Sequence, residues 1–276
     1  MTDLKIQALN IFPVKSLRGI AVNEATLAET GFVNDRIWML VDDNGKFITQ
    51  RQQAKMALID VVVADNNLLV SVGDESVSIP YDQSDCESGG ELVSVTIWRD
   101  HCTGVLASGE VNRWFSDYLG VSCRLVSFNQ AQSRVVDPEY TCDASDVVGF
   151  ADGFPFLLIG TASLRDLNQR LVAKGESEVP MMRFRPNIVV ETDEPYIEDQ
   201  WKSIQVGDVR LEIVKPCSRC VIPTIDIVTG EKSREPIFTL GEYRKRDGKI
   251  FFGQNVIHRY QPGQSIAVGD SVKIIL

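Results

Sequence analysis

The amino-acid sequence predicts a mainly β protein with a few helices, and three observations carry that reading. Short apolar runs rich in β-branched residues recur at close spacing along the chain. Several of them face each other across Asp, Asn and Gly turns of hairpin type. Helical periodicity appears in two places only. Many short, closely spaced strands argue for a barrel or a sandwich.

In chain order, the stretch from Leu4 to Val14 alternates and ends at Pro13 and Lys15-Ser16. Ile37 to Val41 and Lys46 to Thr49 flank Asp43-Asn44-Gly45, the first predicted hairpin. Leu58 to Ala64 and Leu68 to Val72 flank Asp65-Asn66-Asn67, the second. Val93 to Trp98 and Cys102 to Leu106 flank Arg99-Asp100-His101, the third. Val111, Trp114, Phe115, Tyr118 and Leu119 then follow helical spacing, and Gly120 ends the run. A second helix is predicted to start at Thr161 to Ser163. Ser163 and Asp166 have capping-box spacing, Leu164, Leu167 and Leu171 form the apolar stripe, and Gly175 is the stop. Strands return at Ile188 to Glu191, Val209 to Val214 and Ser271 to Ile275. The polar stretch Asn129 to Ser145 divides the chain, giving expected units of 1–130 and 131–276.

With 276 residues the chain can bury a full core, as one large domain or two smaller ones. A hydrophobic fraction of 44% and a charged fraction of 24% are ordinary for a soluble globular protein. No apolar run reaches the roughly 18 residues of a membrane helix. The N-terminus lacks a basic region and a small-residue cleavage site, so the expectation is a cytoplasmic protein without a membrane partner. The net charge is −10, from 28 basic and 38 acidic residues. That disfavours nonspecific nucleic-acid binding, which relies on basic surface. Against this background the basic positions Lys15, Arg18, Arg36, Arg183, Arg185 and Arg219 stand out. A small anionic ligand would account for them, as would ordinary surface ion pairs.

The six cysteines do not read as a disulfide framework. Cys86, Cys102, Cys123 and Cys142 are isolated and read as buried small hydrophobes. Cys217 and Cys220 lie three residues apart in Lys215-Pro-Cys-Ser-Arg-Cys220, after the apolar run Val209 to Val214. Thiolate suits soft or high-valent metal centres. A structural zinc site needs about four ligands, and only His101 and His258 are available besides cysteine. A plant-type iron–sulfur spacing is absent. A redox dithiol should open a helix, whereas strand-like sequence broken by Pro223 follows here. A metal site, a redox pair and two packed thiols all remain open on the residues alone.

Arg183, Arg185 and Asn187 start a predicted strand, with Pro186 holding Arg185 extended, and arginine forks suit phosphate and polar heterocycles. Lys15-Ser16 offers an ammonium, a hydroxyl and loop amides for a phosphate, without Walker glycine spacing. Arg36 pairs with Asp35 or points at the same anion. Asp152 precedes the apolar run Phe156 to Ile159, as an acid/base candidate or an Asx-turn residue.

Taken in order, Lys15-Ser16-Leu-Arg-Gly, Asp35-Arg36, Asp152-Gly-Phe-Pro, Arg185-Pro-Asn-Ile-Val, Pro216-Cys-Ser-Arg-Cys220 with Thr224-x-Asp226, and Phe252-Gly-Gln-Asn255 resemble the MOSC family. The resemblance is to the members that join an N-terminal β-barrel module to a MOSC domain, and it covers nearly the whole chain. It implies an N-terminal β-barrel-like module followed by a MOSC β-barrel with a few peripheral helices. It also implies a molybdenum cofactor, a molybdopterin whose metal is ligated by one cysteine thiolate. By motif match the metal ligand is Cys220. Lys15, Ser16, Arg36, Arg185 and Asn187 would hold the cofactor's phosphate and pterin, with Arg219 beside them. Asp152 would lie near the metal or pterin as a candidate proton relay, and Cys217 would either support the ligand from behind or be structural. The implied reaction is reduction of small N-hydroxylated compounds: hydroxylamines, amidoximes and N-hydroxylated purine bases. Without a cluster-binding domain, electrons are expected from a separate protein such as a ferredoxin, a flavin reductase or a cytochrome. The alternative is a cofactor-binding or sulfur-carrier module that does not turn over substrate.

Overall fold

A computed structural model describes residues 4–64, 67–80, 90–129, 134–141, 146–259 and 261–275, and the fold they form is mainly β. Cys86, Cys142, the turn residues Asp65 and Asn66, and the expected division near residue 130 lie outside the described residues.

The largest sheet has nine strands and gathers both ends of the chain. Its order runs Ile20–Val22, Ile6–Ile11, Ile188–Val190, Phe156–Gly160, Lys249–His258, Val209–Ser218, Ser203–Val206 and Val272–Ile275, with Lys245–Arg246 pairing beside Lys249–His258. The first strand thus lies against one from late in the chain: Leu9 faces Ile188 and Ile6 faces Val190. Its expected alternation gives way to continuous burial from Leu9 to Ile11, because an inner strand is covered on both faces. Phe156–Gly160 and Ile188–Val190 run parallel. Parallel neighbours need a long crossover, and helix α2 (Thr161–Ala173) is part of it. Leu9, Phe32, Phe156, Ile188 and Val256 belong to the apolar cluster formed with this sheet.

A four-stranded sheet follows the order Trp38–Val41, Arg124–Phe128, Asp100–Leu106 and Leu92–Ile97. Asp60–Ala64, Asn67–Val72 and Glu75–Pro80 form a meander. Helix α1 (Gly109–Leu119) buries Val111, Phe115 and Leu119 against Trp38, Met56 and Val70. Ser108 caps its N-terminus by accepting from Val111 N at 3.4 Å, and Gly120 ends it at φ 70°. Helix α3 (Ile237–Tyr243) is the third.

The second predicted hairpin forms, but Asn67, expected in the turn, is the first residue of its strand and pairs with Ala64, so that Val62 faces Leu69. In the third, the turn falls on Trp98 and Arg99 and places Asp100 opposite Ile97. In the first, the turn closes (Asp42 N to Lys46 O, 2.8 Å), but Lys46 to Thr49 does not continue as a strand. Phe47 still bridges Val41 and Ile48 N donates to Leu40 O at 2.8 Å, Arg124–Phe128 pairs with Trp38–Val41 as well, and after Ile48 the chain turns towards the cleft described below.

The expected capping box on α2 is corrected by the structure. Its N-cap is Gly160, and Ser163 lies inside the helix. Glu198 accepts from Gly160 N at 3.0 Å and from the Ser163 hydroxyl at 2.7 Å, while Thr192 Oγ1 accepts from Ala162 N at 3.1 Å. Asp166 pairs with Arg170. Residues from the following loop therefore do the capping. Gly160 is required by that close approach, since a Cβ there would lie 2.8 Å from Thr192 Oγ1 and 2.9 Å from Glu198 Oε2. Burial raises the Glu198 carboxyl above its ordinary range, against the Ser163 and Gly160 hydrogen bonds.

Among the described residues no helix is long and apolar enough to cross a membrane.

Candidate functional site

A cleft of about 440 Å³ opens where the Lys15 turn, the Asp152 loop, the Arg185 loop and the Cys217–Cys220 segment converge. It brings together Lys15, Ser16, Arg36, Asp152, Arg185, Asn187, Arg219, Cys217 and Cys220 from positions spread over most of the chain.

The Lys15-Ser16 turn follows from the end of the first strand. Lys15 N donates to Trp38 O at 2.7 Å and Leu17 N to Val14 O at 3.1 Å, which closes a tight turn with Ser16 at φ 69°. Gln50 Nε2 donates to Ser16 O at 2.8 Å and holds the turn from behind. Arg36 at φ 52° is also left-handed, and so is Arg185 at φ 58° and ψ 46°, which corrects the extended backbone expected before Pro186, because Arg185 N closes the preceding turn by donating to Met182 O at 3.1 Å. That backbone costs a non-glycine residue roughly 1–2 kcal/mol and persists where the surroundings over-determine it, often at functional sites.

Lys15 is buried, and its ammonium donates to Phe150 O at 2.7 Å and to Asp152 Oδ1 at 2.5 Å. Burial lowers the Lys15 ammonium from its ordinary value, and the Asp152 carboxylate opposes the shift. Arg51 reaches Asp152 at 3.6 Å and Trp98 Nε1 donates to it at 3.3 Å. Burial among the cleft walls pushes the Asp152 carboxyl up, yet its side chain keeps 56% of its surface open. Lys15, Arg51 and Trp98 outweigh that burial and hold it well below the usual carboxylate range. Asp152 is therefore ionised at neutral pH.

Arg36 and Arg185 lie over the Phe12 ring, 4.8 and 4.2 Å from its centroid. Arg36 pairs with Asp35, which also accepts from Phe12 N at 2.7 Å. Arg185 has no carboxylate partner among the described residues. Burial, then Arg36, pulls its guanidinium down to about 9, so it remains charged at neutral pH. Asn187 lines the cleft, but its side chain is spent on the protein: Oδ1 accepts from Arg36 at 2.9 Å and from Leu157 N at 3.3 Å, and Nδ2 donates to Asn10 O at 3.2 Å. It is 1% exposed, so it positions Arg36.

The Cys217–Cys220 segment is the end of the long strand Val209–Ser218, whose register with Lys249–His258 shifts between Ile213 and Lys215 and again between Pro216 and Ser218. Arg219 Nη1 donates to Cys217 Sγ at 3.2 Å and Nη2 to Phe184 O at 2.8 Å. Cys220 Sγ accepts from Arg51 Nη2 at 3.4 Å and from Ile222 N at 3.5 Å. Cys217 is thus tied to Arg219, and Cys220 presents its sulfur to the cleft. Cys102 and Cys123 are buried as expected, and burial raises both thiols.

Sequence reasoning missed Arg51, Trp98 and the site position of Lys215. Arg51 stacks on Trp98 at 4.8 Å and Lys215 lies 4.0 Å from the Tyr140 centroid. The available signal for Lys215 was its place two residues before Cys217. Arg51 carried none, because its approach to Cys220 depends on the chain turning inward after Ile48.

The arrangement fits an anionic, polar group that also brings metal ligands. The Arg219 Nε is buried without a hydrogen-bond partner in this structure, and Arg185 is a cation in want of an anion. No group of three or more His, Cys, Asp or Glu that could hold a metal occurs among the described residues, so a metal at Cys220 needs most of its ligands from a non-protein group.

The family model for the MOSC N-terminal beta barrel domain matches residues 3–122, and that for the MOSC domain matches residues 145–273. Mitochondrial amidoxime-reducing component 1 of Homo sapiens is 33% identical over 290 residues, covering 98% of this chain and 82% of that protein. Mitochondrial amidoxime reducing component 2 of Rattus norvegicus is 34% identical over 251 residues, 87% of this chain and 72% of that protein. The molybdenum cofactor sulfurase of Arabidopsis thaliana is 31% identical over 298 residues, 97% of this chain, and the chain spans 35% of that protein's length. With both family models matched in order and relatives aligned over most of their own length, the chain belongs to the MOSC family, in the form that carries the N-terminal β-barrel domain.

Proposed function

We propose that the protein is a molybdenum-cofactor-dependent reductase of N-hydroxylated compounds that takes its electrons from a separate protein. The observation that carries this reading is the meeting of Cys220 with Lys15, Arg36 and Arg185 in one cleft. On this reading Cys220 is the thiolate ligand of the metal. Lys15, Ser16, Arg36 and Arg185 bind the phosphate and pterin, and Asn187 holds Arg36 at the right angle for them. Arg219 offers its free Nε to the same group. When bound, the cofactor supplies a two-electron metal centre for N–O reduction. The ionised Asp152 carboxylate is a proton acceptor at rest, so the Lys15 ammonium that donates to it is the protonated member of the pair. Lys15 Nζ, whose proton burial loosens, is the proton donor facing the substrate oxygen, and Asp152 orients that ammonium, a carboxylate held this low being unable to carry the proton expected of a relay. Trp98 and Arg51 at the cleft form a planar wall against which a flat amidoxime or base can lie.

A second reading is favoured by the sulfurase relatives, which align with 97% of this chain: a module that binds the cofactor without turning over substrate. Elemental analysis of protein made in a cofactor-competent host tests both. About one molybdenum per chain, lost in Cys220→Ser, supports the metal ligand. Reduction of benzamidoxime with methyl viologen as donor supports the reductase, and retained molybdenum without turnover supports the binding module. Full molybdenum content in Cys220→Ser overturns the ligand assignment.

A further inference from the structure

Reduction of one N–OH group to N–H takes up two electrons and two protons and releases one water. On the reductase reading, a reduced carrier must therefore come close to Cys220. One hairpin is built for such an approach. Lys245 pairs with Ile250 and Arg246 with Lys249, and Asp247 and Gly248 close the turn at φ 49° and 75°. Two consecutive positive φ values mark the tight turn that matches strand twist, so the hairpin displays its side chains from a defined frame. Lys245, Arg246 and Lys249 are exposed and enter no ion pair among the described residues. Arg246 lies over the Phe251 ring at 5.1 Å, whereas the adjacent Arg244 is held by Asp199 at 2.6 Å. With Asp247 in the turn as its one carboxylate, the hairpin carries three exposed cations against one anion, a local positive excess in a chain of net charge −10.

The same hairpin touches the site through one hydrogen bond. Arg219 N donates to Ile250 O at 2.7 Å, and Ser218 pairs with Phe251. Lys249 is therefore separated from Cys220 by one residue, one hydrogen bond and one residue, a span within about 13 Å between Cα atoms. Val221, next to Cys220, is 53% exposed. It lies two residues beyond Arg219, which the hairpin holds, and transient interfaces combine such apolar positions with charged ones.

We propose that the hairpin of Lys245, Arg246 and Lys249, with Val221, is the docking surface for a small acidic one-electron carrier protein. Two carrier molecules, each oxidised by one electron, supply the pair for one N–O bond, and the protons come from solvent. The inference rests on the reductase reading, and the test separates the two.

The experiment uses the molybdenum-loaded protein, an acidic plant-type ferredoxin as probe and methyl viologen as a donor too small to need docking. The double variant Lys245→Glu/Lys249→Glu is compared with wild type and with Lys273→Glu, a charge reversal at an exposed position of the strand Val272–Ile275. Wild type is expected to bind oxidised ferredoxin in calorimetric titration at low salt and to release it as salt rises. In the double variant, binding and ferredoxin-driven turnover are expected to fall about tenfold or more, with viologen-driven turnover unchanged and Lys273→Glu like wild type. Equal ferredoxin binding by wild type and double variant, no low-salt binding by wild type, or an equal loss in Lys273→Glu overturns the docking surface. Absent viologen-driven turnover overturns the reductase reading instead, and the titration still decides the docking surface.

Discussion

Replacing Asn187 by leucine tests whether this residue serves the protein or the ligand. Leucine has nearly the same volume, so little cavity or overpacking is created. It removes three hydrogen bonds: from Arg36 at 2.9 Å, from Leu157 N at 3.3 Å and to Asn10 O at 3.2 Å. Each is worth about 1 kcal/mol net, and the Leu157 N–H and Asn10 C=O left behind add to the loss because both residues are buried. The expected destabilisation is about 3–4 kcal/mol. With an m-value of about 3 kcal/mol/M for urea, the unfolding midpoint falls by about 1 M. Tryptophan fluorescence across a urea series measures it directly. A ligand-facing asparagine would leave the apoprotein untouched, so a midpoint within about 0.3 M of wild type refutes the reasoning. Asn187→Asp keeps an acceptor for Arg36 but loses the donor to Asn10, and its midpoint is expected between the two.

Gly253 sits at φ 77°, and a Cβ there would lie 2.7 Å from Ile159 Cγ1 and 2.9 Å from Leu158 O. Gly253→Ala is expected to cost about 2–4 kcal/mol from left-handed strain and overpacking, seen as a melting-temperature drop on the order of 10 °C. Glu198 titrates higher folded than unfolded. Its contribution is full below the unfolded value of about 4.3 and is lost as pH rises through the folded value, so Glu198→Gln should gain stability relative to wild type as pH rises above the unfolded value in urea titrations. Asp152 has the opposite sign: its folded value is depressed by Lys15, Arg51 and Trp98 acting against burial, so its contribution is present above an unfolded value of about 3.9 and is lost as pH falls. Lys15→Met should weaken that acid-side loss, and an unchanged acid limb of the stability profile would count against the pairing.

Much of the fold was legible because its signals are local. The hairpin at Val62 and Leu69, the helix of Val111 to Leu119 and the strands at Ile188, Val209 and Val272 follow from periodicity and turn residues within a few positions. The motifs that meet in the cleft were legible as an ordered set, although none carried weight alone. What escaped the sequence is tertiary. The cap of α2 comes from Glu198 and Thr192, some thirty residues on, which no local pattern announces. Arg51 reaches a sulfur 169 positions away. Asn187 was expected to touch a ligand, and only the pairing of its strand with the first one commits its amide to Asn10 and Arg36.

That pairing sets an order of events during synthesis. Lys15 and Ser16 leave the ribosome well before the strand that fixes their neighbourhood, Ile188–Val190, which follows more than 170 positions later, and Cys220 comes later still. Long-range contacts of this kind are slow to form and leave early segments waiting. The strand Ile6–Ile11 therefore emerges with the edge that meets Ile188–Val190 unpaired, and no nascent fragment ending before Cys220 contains the whole candidate site. Loading of any ligand that needs both halves is a late step, after the chain has closed on itself. Interruption of translation would yield fragments that aggregate and do not trap the ligand.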